Sequence, residues 1–151
     1  MITLAGILVA GAIAMGSPGE NARSDSSGTV ALRTCSTIAS YRALNVKKYE
    51  RAYVISLRYD VDGVVECALR DAALMKIAQP DAEAPEIREE IDRLATGGRT
   101  PVIRYKAWLA KLVFQNPQLF TTMADGDYDT ADEAFAAIAE RLAQTLLAAQ
   151  E

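Results

Sequence analysis

A chain of 151 residues, half of them hydrophobic, has enough apolar material for one real core and carries no low-complexity tract that would keep its body unfolded. Its formal net charge of −4 argues against a general nucleic-acid binder, because phosphate binding is driven by clustered Lys and Arg. The absence of His removes the commonest general base, the Ser/His and Cys/His nucleophile arrangements and the usual nitrogen ligand of zinc, copper and haem, and two Cys are too few for a four-cysteine zinc site or an iron–sulfur cluster.

From Ile2 to Met15 the chain is apolar or small apart from Thr3, and Gly16-Ser17-Pro18-Gly19-Glu20 comes next as a polar turn. This run is short for a bilayer span, which needs roughly 20 residues, and matches the apolar region of an export signal. Residues 1–16, or 1–22, are therefore expected to be removed, with Ala14 and Gly16 as the small residues at a cleavage site. No Lys or Arg precedes the apolar run, which departs from the usual signal; left uncleaved, this segment would be the chain's one contact with a membrane. Residues 17–27 read as a tether, and residues 28–151 as the folded domain of an exported, periplasmic or secreted protein.

Gly28 to Leu44 lacks internal Gly and Pro and sets Leu32, Cys35 and Ala39 at helical spacing. The next segment, 46–59, offers Tyr49, Ala52, Tyr53 and Leu57 as a helical stripe, yet Val54-Ile55 sits in a run that also suits a strand. Asp60-Val61-Asp62-Gly63 predicts a turn with a capping acid ahead of a helix over Val64–Ala78. Pro85 begins another helix, with Glu86, Glu89 and Glu90 at its positive end, a stripe of Ile87, Ile91 and Leu94, and Gly97-Gly98 as its stop. Thr100-Pro101 starts a helix to about Phe114 that Asn116-Pro117 closes. Thr130-Ala131-Asp132-Glu133 is a capping box, opening a helix expected to bury Phe135, Ile138, Leu142 and Leu146.

A shift of 39 positions lays Val64, Ala68, Leu69, Ala73, Leu74 and Met75 on Ile103, Ala107, Trp108, Leu112, Val113 and Phe114, every pair apolar. Val54 and Leu57 fall on Ile91 and Leu94 once a short gap is allowed. Residues 47–120 thus hold two successive units of helix, Asp or Gly turn, and second helix. With Val65-Glu66-Cys67-Ala68 and Ile103-Arg104-Tyr105-Lys106-Ala107 opening the second helices, the pattern resembles HEAT-like or armadillo-like α-solenoid repeats. That resemblance implies an all-α, short right-handed α-solenoid of helix pairs, flanked by capping helices. A closed helical bundle of five or six helices is the alternative that the periodicity leaves open.

Asp125-Gly126-Asp127-Tyr128-Asp129 alternates acids as calcium loops do, making Asp125, Asp127 and Asp129 candidate ligands for Ca2+. It departs from the EF-hand, with Thr130 at the glycine position and Ala136 in place of the bidentate Glu, and an acidic turn before a capped helix accounts for the same residues. Cys35 and Cys67 lie on different predicted helices and would form a disulfide in an exported chain, or remain two packed thiols. Trp108 and Phe114 are assigned to the core. Glu66, Arg70, Arg104, Tyr105, Lys106 and Lys111 are assigned to the exposed face of the second helices, which lines the concave groove in solenoids. Residues 23–60 hold seven basic and three acidic side chains, whereas 121–151 hold one and seven, so the two ends differ in polarity. The expectation is an exported, non-enzymatic interaction domain for another protein or an envelope assembly. The alternative is a helical bundle that binds a small ligand or Ca2+ at the 125–129 turn.

Overall fold

The computed structural model describes residues 38–149, so the signal-peptide and tether expectations and Cys35 lie outside the described residues. Within them the chain is entirely helical: α1 (Ile38–Tyr41), α2 (Val46–Leu57), α3 (Asp62–Ala78), α4 (Pro85–Gly97), α5 (Pro101–Gln115), a 3-10 segment (Pro117–Met123) and α6 (Ala131–Ala148).

Residues 46–57 are helix, not strand. The Asn45 side chain caps them by accepting from the Lys48 N–H at 3.1 Å, and Val46, Tyr53, Val54 and Leu57 bury one side while Ile55 faces out. A local strand preference gives way because the helical stripe is the one that reaches the core. α3 starts earlier than the turn reading placed it. Val61 stands at its N-cap position without a side-chain bond, and Asp62 is inside the first turn, where it meets Arg99 at 2.7 Å.

The proline and threonine starts fall where the sequence put them. Pro85 opens α4, whose Ile87, Ile91 and Leu94 are buried, and Thr100 caps α5 by accepting from the Ile103 N–H at 3.2 Å. Gly98 ends α4 by donating to the Leu94 carbonyl at 2.9 Å; a Cβ there would lie 2.6 Å from that same oxygen. The capping box of α6 is complete, with Thr130 accepting from the Glu133 N–H at 3.2 Å and the Glu133 carboxylate accepting from the Thr130 N–H at 3.2 Å.

Asn116-Pro117 does not lead into an open loop. Pro117 starts a 3-10 segment that sends Phe120 and Met123 into the core.

α3 is the centre of the fold: it packs against α1, α2, α5, the 3-10 segment and α6. Accordingly it is buried nearly all round, from Val65 through Ile77. α4 packs on α2 and α5, so the contacts run α2 to α3, α4 to α5, α2 to α4 and α3 to α5. α6 lies against α3, α5 and the 3-10 segment through Phe135 and Ile138, and Arg141 ties it down by donating to the Leu119 carbonyl at 2.9 Å. Beyond that tie the helix runs clear of the body. Leu142 is only partly buried and Leu146 is 66% exposed, which corrects its assignment to the core.

Candidate functional site: the outward face of α5

α5 is held from behind by α3, from one side by α4 and from the other by the 3-10 segment and α6. Its buried residues are Ile103, Lys106, Ala107, Leu109, Ala110, Val113 and Phe114. At about 100° per residue, Pro101, Tyr105, Trp108 and Leu112 fall on the remaining arc. Trp108 is 48% exposed and Tyr105 52% exposed. Their rings stack, with centroids 6.3 Å apart and planes at 21°. The core assignment of Trp108 is thereby corrected. Its partner in the 39-residue register, Leu69, is fully buried on α3, which packs against α5.

Val102, 50% exposed, continues the apolar surface into a groove of about 500 Å3 between α5 and the start of α6. Pro101, Tyr105, Phe135 and Ala136 form its walls, together with Lys106 and Asp132. Lys106 was expected on the exposed face, but it is 4% exposed. Its Nζ lies 2.5 Å from Glu66 Oε2 on α3 and 2.6 Å from Asp132 Oδ1 on α6, so one ammonium joins three helices. Burial alone would lower the pKa of Lys106. The hydrogen bonds to Asp132 and Glu66, and the charges of both carboxylates, outweigh it and hold the pKa above the usual lysine value.

Arg70, also expected on the exposed face, is 2% exposed. Its guanidinium meets Asp71 Oδ1 at 2.8 Å and donates through Nη1 to the Asp129 carbonyl at 2.5 Å. The approach to α6 covers this part of α3, where an open groove was expected. Burial raises the pKa of Asp71, and the neighbouring Arg70 charge and hydrogen bond offset part of that rise. Burial likewise pushes the Tyr41 phenol far above its ordinary range, reinforced by the charge of Asp71.

The remaining members of the expected face are accessible in part. Glu66 is half-buried against Lys106, Arg104 donates to the Gly98 carbonyl at 2.8 Å, and Lys111 lies 2.9 Å from Asp92. The residues missed from sequence are Val102 and Trp108. The signal that would have found them is the one-turn spacing of Val102, Tyr105 and Trp108 along a single helix.

The acidic turn does not assemble a cation site. Asp125 Oδ1 receives Arg42 Nη2 at 3.2 Å, and no group of three or more Cys, Asp or Glu among the described residues converges as metal ligands would. Asp125, Asp127 and Asp129, the candidate Ca2+ ligands, are therefore not brought together as a ligand set among the described residues. Cys67 is an exposed thiol on α3, and its expected partner Cys35 lies outside the described residues. No helix among the described residues is long and apolar enough to cross a membrane. Comparison of the chain with protein-family models, with curated proteins and with solved structures returns no match.

Proposed function

We propose that this chain is an exported, non-enzymatic interaction domain that engages another polypeptide through the outward face of α5. The observation that supports this reading is the stacked Tyr105–Trp108 pair, held half in solvent while Phe114, Phe120 and Phe135 all go inside. An exposed aromatic pair beside an apolar groove is the surface expected of a binding hot spot, where large rings gain most from leaving water.

The finer architecture belongs to the same reading. The α2–α3 and α4–α5 pairs are two stacked solenoid units, first helix on first and second on second, with α1 packed on α3 and the 3-10 segment and α6 lying along α3 and α5. The binding surface is then the end face of the second unit rather than a concave groove, since Arg70 and Lys106 are withdrawn beneath α6.

The reading is tested by chemical cross-linking in envelope extract, comparing the native chain with Trp108→Ala and Tyr105→Ala. Both side chains are half exposed, so the variants keep their helical circular dichroism and lose the cross-linked product. An unchanged product in both variants sinks the proposal. Export is checked separately by the N-terminal sequence of the recovered protein. A mature chain starting after residue 16 or 22 is expected, and a full-length chain confined to the cytoplasm rules export out.

A further inference from the structure

Between the turn that joins α2 to α3 and the turn that joins α4 to α5 lies a cavity of about 160 Å3. Arg58 and Tyr59 close it from the end of α2, Arg93 and Gly97 from the end of α4, and Val65 and Ile103 from the starts of α3 and α5. Two helices end there and two begin, so helix dipoles of both signs meet and the side chains decide the character of the site. Its organising group is Glu90, a carboxylate buried on α4. One Glu90 oxygen receives Arg58 Nε at 2.9 Å and the other receives Arg93 Nε. Among the described residues Glu90 is the only acceptor that either guanidinium meets. The two guanidiniums bring roughly five N–H donors each against roughly four lone-pair sites on one carboxylate, so roughly six donors are left over on groups whose orientation is fixed. A buried ion pair stabilises an interface no better than well-packed apolar residues would. What Glu90 adds is two half-exposed arginines held at one spot. Arg99 makes the remaining polar wall and is satisfied within the chain, reaching Asp62 at 2.7 Å, Asp60 at 3.7 Å and the Tyr59 carbonyl at 3.4 Å.

We infer that the Arg58–Arg93 pair binds the carboxylate of a monoanionic acid whose body is apolar. Charge sets the class of anion. Counted in full, Arg58, Arg93 and Arg99 are balanced by Glu90, Asp60 and Asp62, so the site offers directed donors without a positive field. Such a site suits a single negative charge on a planar group of two oxygens, the match of a guanidinium fork, and disfavours a dianionic phosphate beside Asp60. Apolar surface sets the body of the ligand. Ile55, Tyr59 and Val61 are all more than half exposed and line a hollow of about 480 Å3 that shares Arg58, Tyr59 and Asp60 with the cavity. A carboxylate seated on the two arginines has its chain beside these side chains. A free medium-chain acid and the C-terminal carboxylate of a polypeptide ending in an apolar residue present this same chemistry. The site shares no residue with the outward face of α5 and is a second binding function beside it.

The test is an NMR chemical-shift titration of the isotope-labelled chain with hexanoate and with N-acetyl-leucine, set against acetate, hexanamide and inorganic phosphate. The two apolar acids are expected to shift the Arg58 and Arg93 Nε–H signals and the Gly97 amide, with a dissociation constant of about 1 mM for the tighter of them. Hexanamide lacks the charge and acetate lacks the apolar body, so each should bind more weakly by about tenfold or more. Arg58→Gln and Arg93→Gln, both at exposed positions, should keep the helical circular dichroism and weaken the tighter acid by about tenfold, whereas Arg88→Gln, outside the cavity, leaves it unchanged. Tighter binding of hexanoate assigns the site to a free acid, and tighter binding of N-acetyl-leucine assigns it to a chain terminus. No shift from either acid at about 20 mM overturns the inference. Phosphate binding more tightly than both acids, or an affinity that neither arginine variant lowers, overturns it equally.

Discussion

Replacing Arg70 by Met and Asp71 by Ala, singly and together, should give a strongly non-additive cycle. The two side chains are adjacent on the central helix, 3% and 6% exposed, and 2.8 Å apart. Asp71→Ala strands a guanidinium in the interior, a perturbation of about 3–5 kcal/mol. Arg70→Met leaves the buried Asp71 carboxylate without a counter-charge, with only the Tyr41 hydroxyl beside it, and also removes the hydrogen bond to the Asp129 carbonyl, worth about 1 kcal/mol. That carboxyl already has a raised pKa through burial, and without Arg70 it rises further. Arg70→Met should therefore recover part of its loss as the pH falls, since protonation discharges the orphaned group. The double variant buries neither charge and should cost about 2 kcal/mol, far less than the summed singles. Urea denaturation at pH 7 reads all four chains, and a coupling of about 5 kcal/mol or more, the summed singles less the double, is expected. Single losses that add to within about 0.5 kcal/mol would refute the claim that each charge is buried on account of the other.

Three further outcomes rest on particular contacts. Thr130→Ala removes one half of the α6 capping box and should lower stability by about 1 kcal/mol in the same urea assay, with the helical signal of the folded state retained. Gly98→Ala should cost about 1–3 kcal/mol although its φ of −58° suits any residue, because the new Cβ would lie 2.6 Å from the Leu94 carbonyl oxygen and 2.9 Å from the Ile103 side chain. The Tyr41 phenol has its pKa raised in the fold by burial and by Asp71. Its contribution is thus complete below the unfolded value of about 10 and is lost as the pH rises above it, so the melting temperature should fall through alkaline pH less steeply in Tyr41→Phe than in the native chain.

The helices were legible in the sequence because their ends are written in local chemistry. Pro85, Thr100-Pro101 and the Thr130–Glu133 box each act within one turn of the residues that they organise. The illegible part depends on elements distant in the chain. Arg70 and Lys106 look like surface cations until the Asp129 carbonyl and Asp132 arrive from the α6 approach and give them buried partners. Trp108 looks like core by its alignment with Leu69. The alignment reports helical phase correctly, but α3 is buried nearly all round and no later helix covers that phase on α5. The strand character of residues 52–57 left that element open between helix and strand for a similar reason, since burial of Tyr53, Val54 and Leu57 by α3 and α4 decides the outcome.

The central position of α3 also sets an order of events during folding. α4 and α5 are joined by a short turn and form one of the largest packed pairs, so their docking closes little chain and should be early. The bonds that complete the burial of α3 await the approach to α6: Arg70 waits for Asp129 and Lys106 for Asp132. A chain emerging from the ribosome therefore holds a mostly apolar α3 whose last cover is made only with α6. Until then that helix is the most aggregation-prone stretch of the described chain, and also the stretch that a holding chaperone would grip.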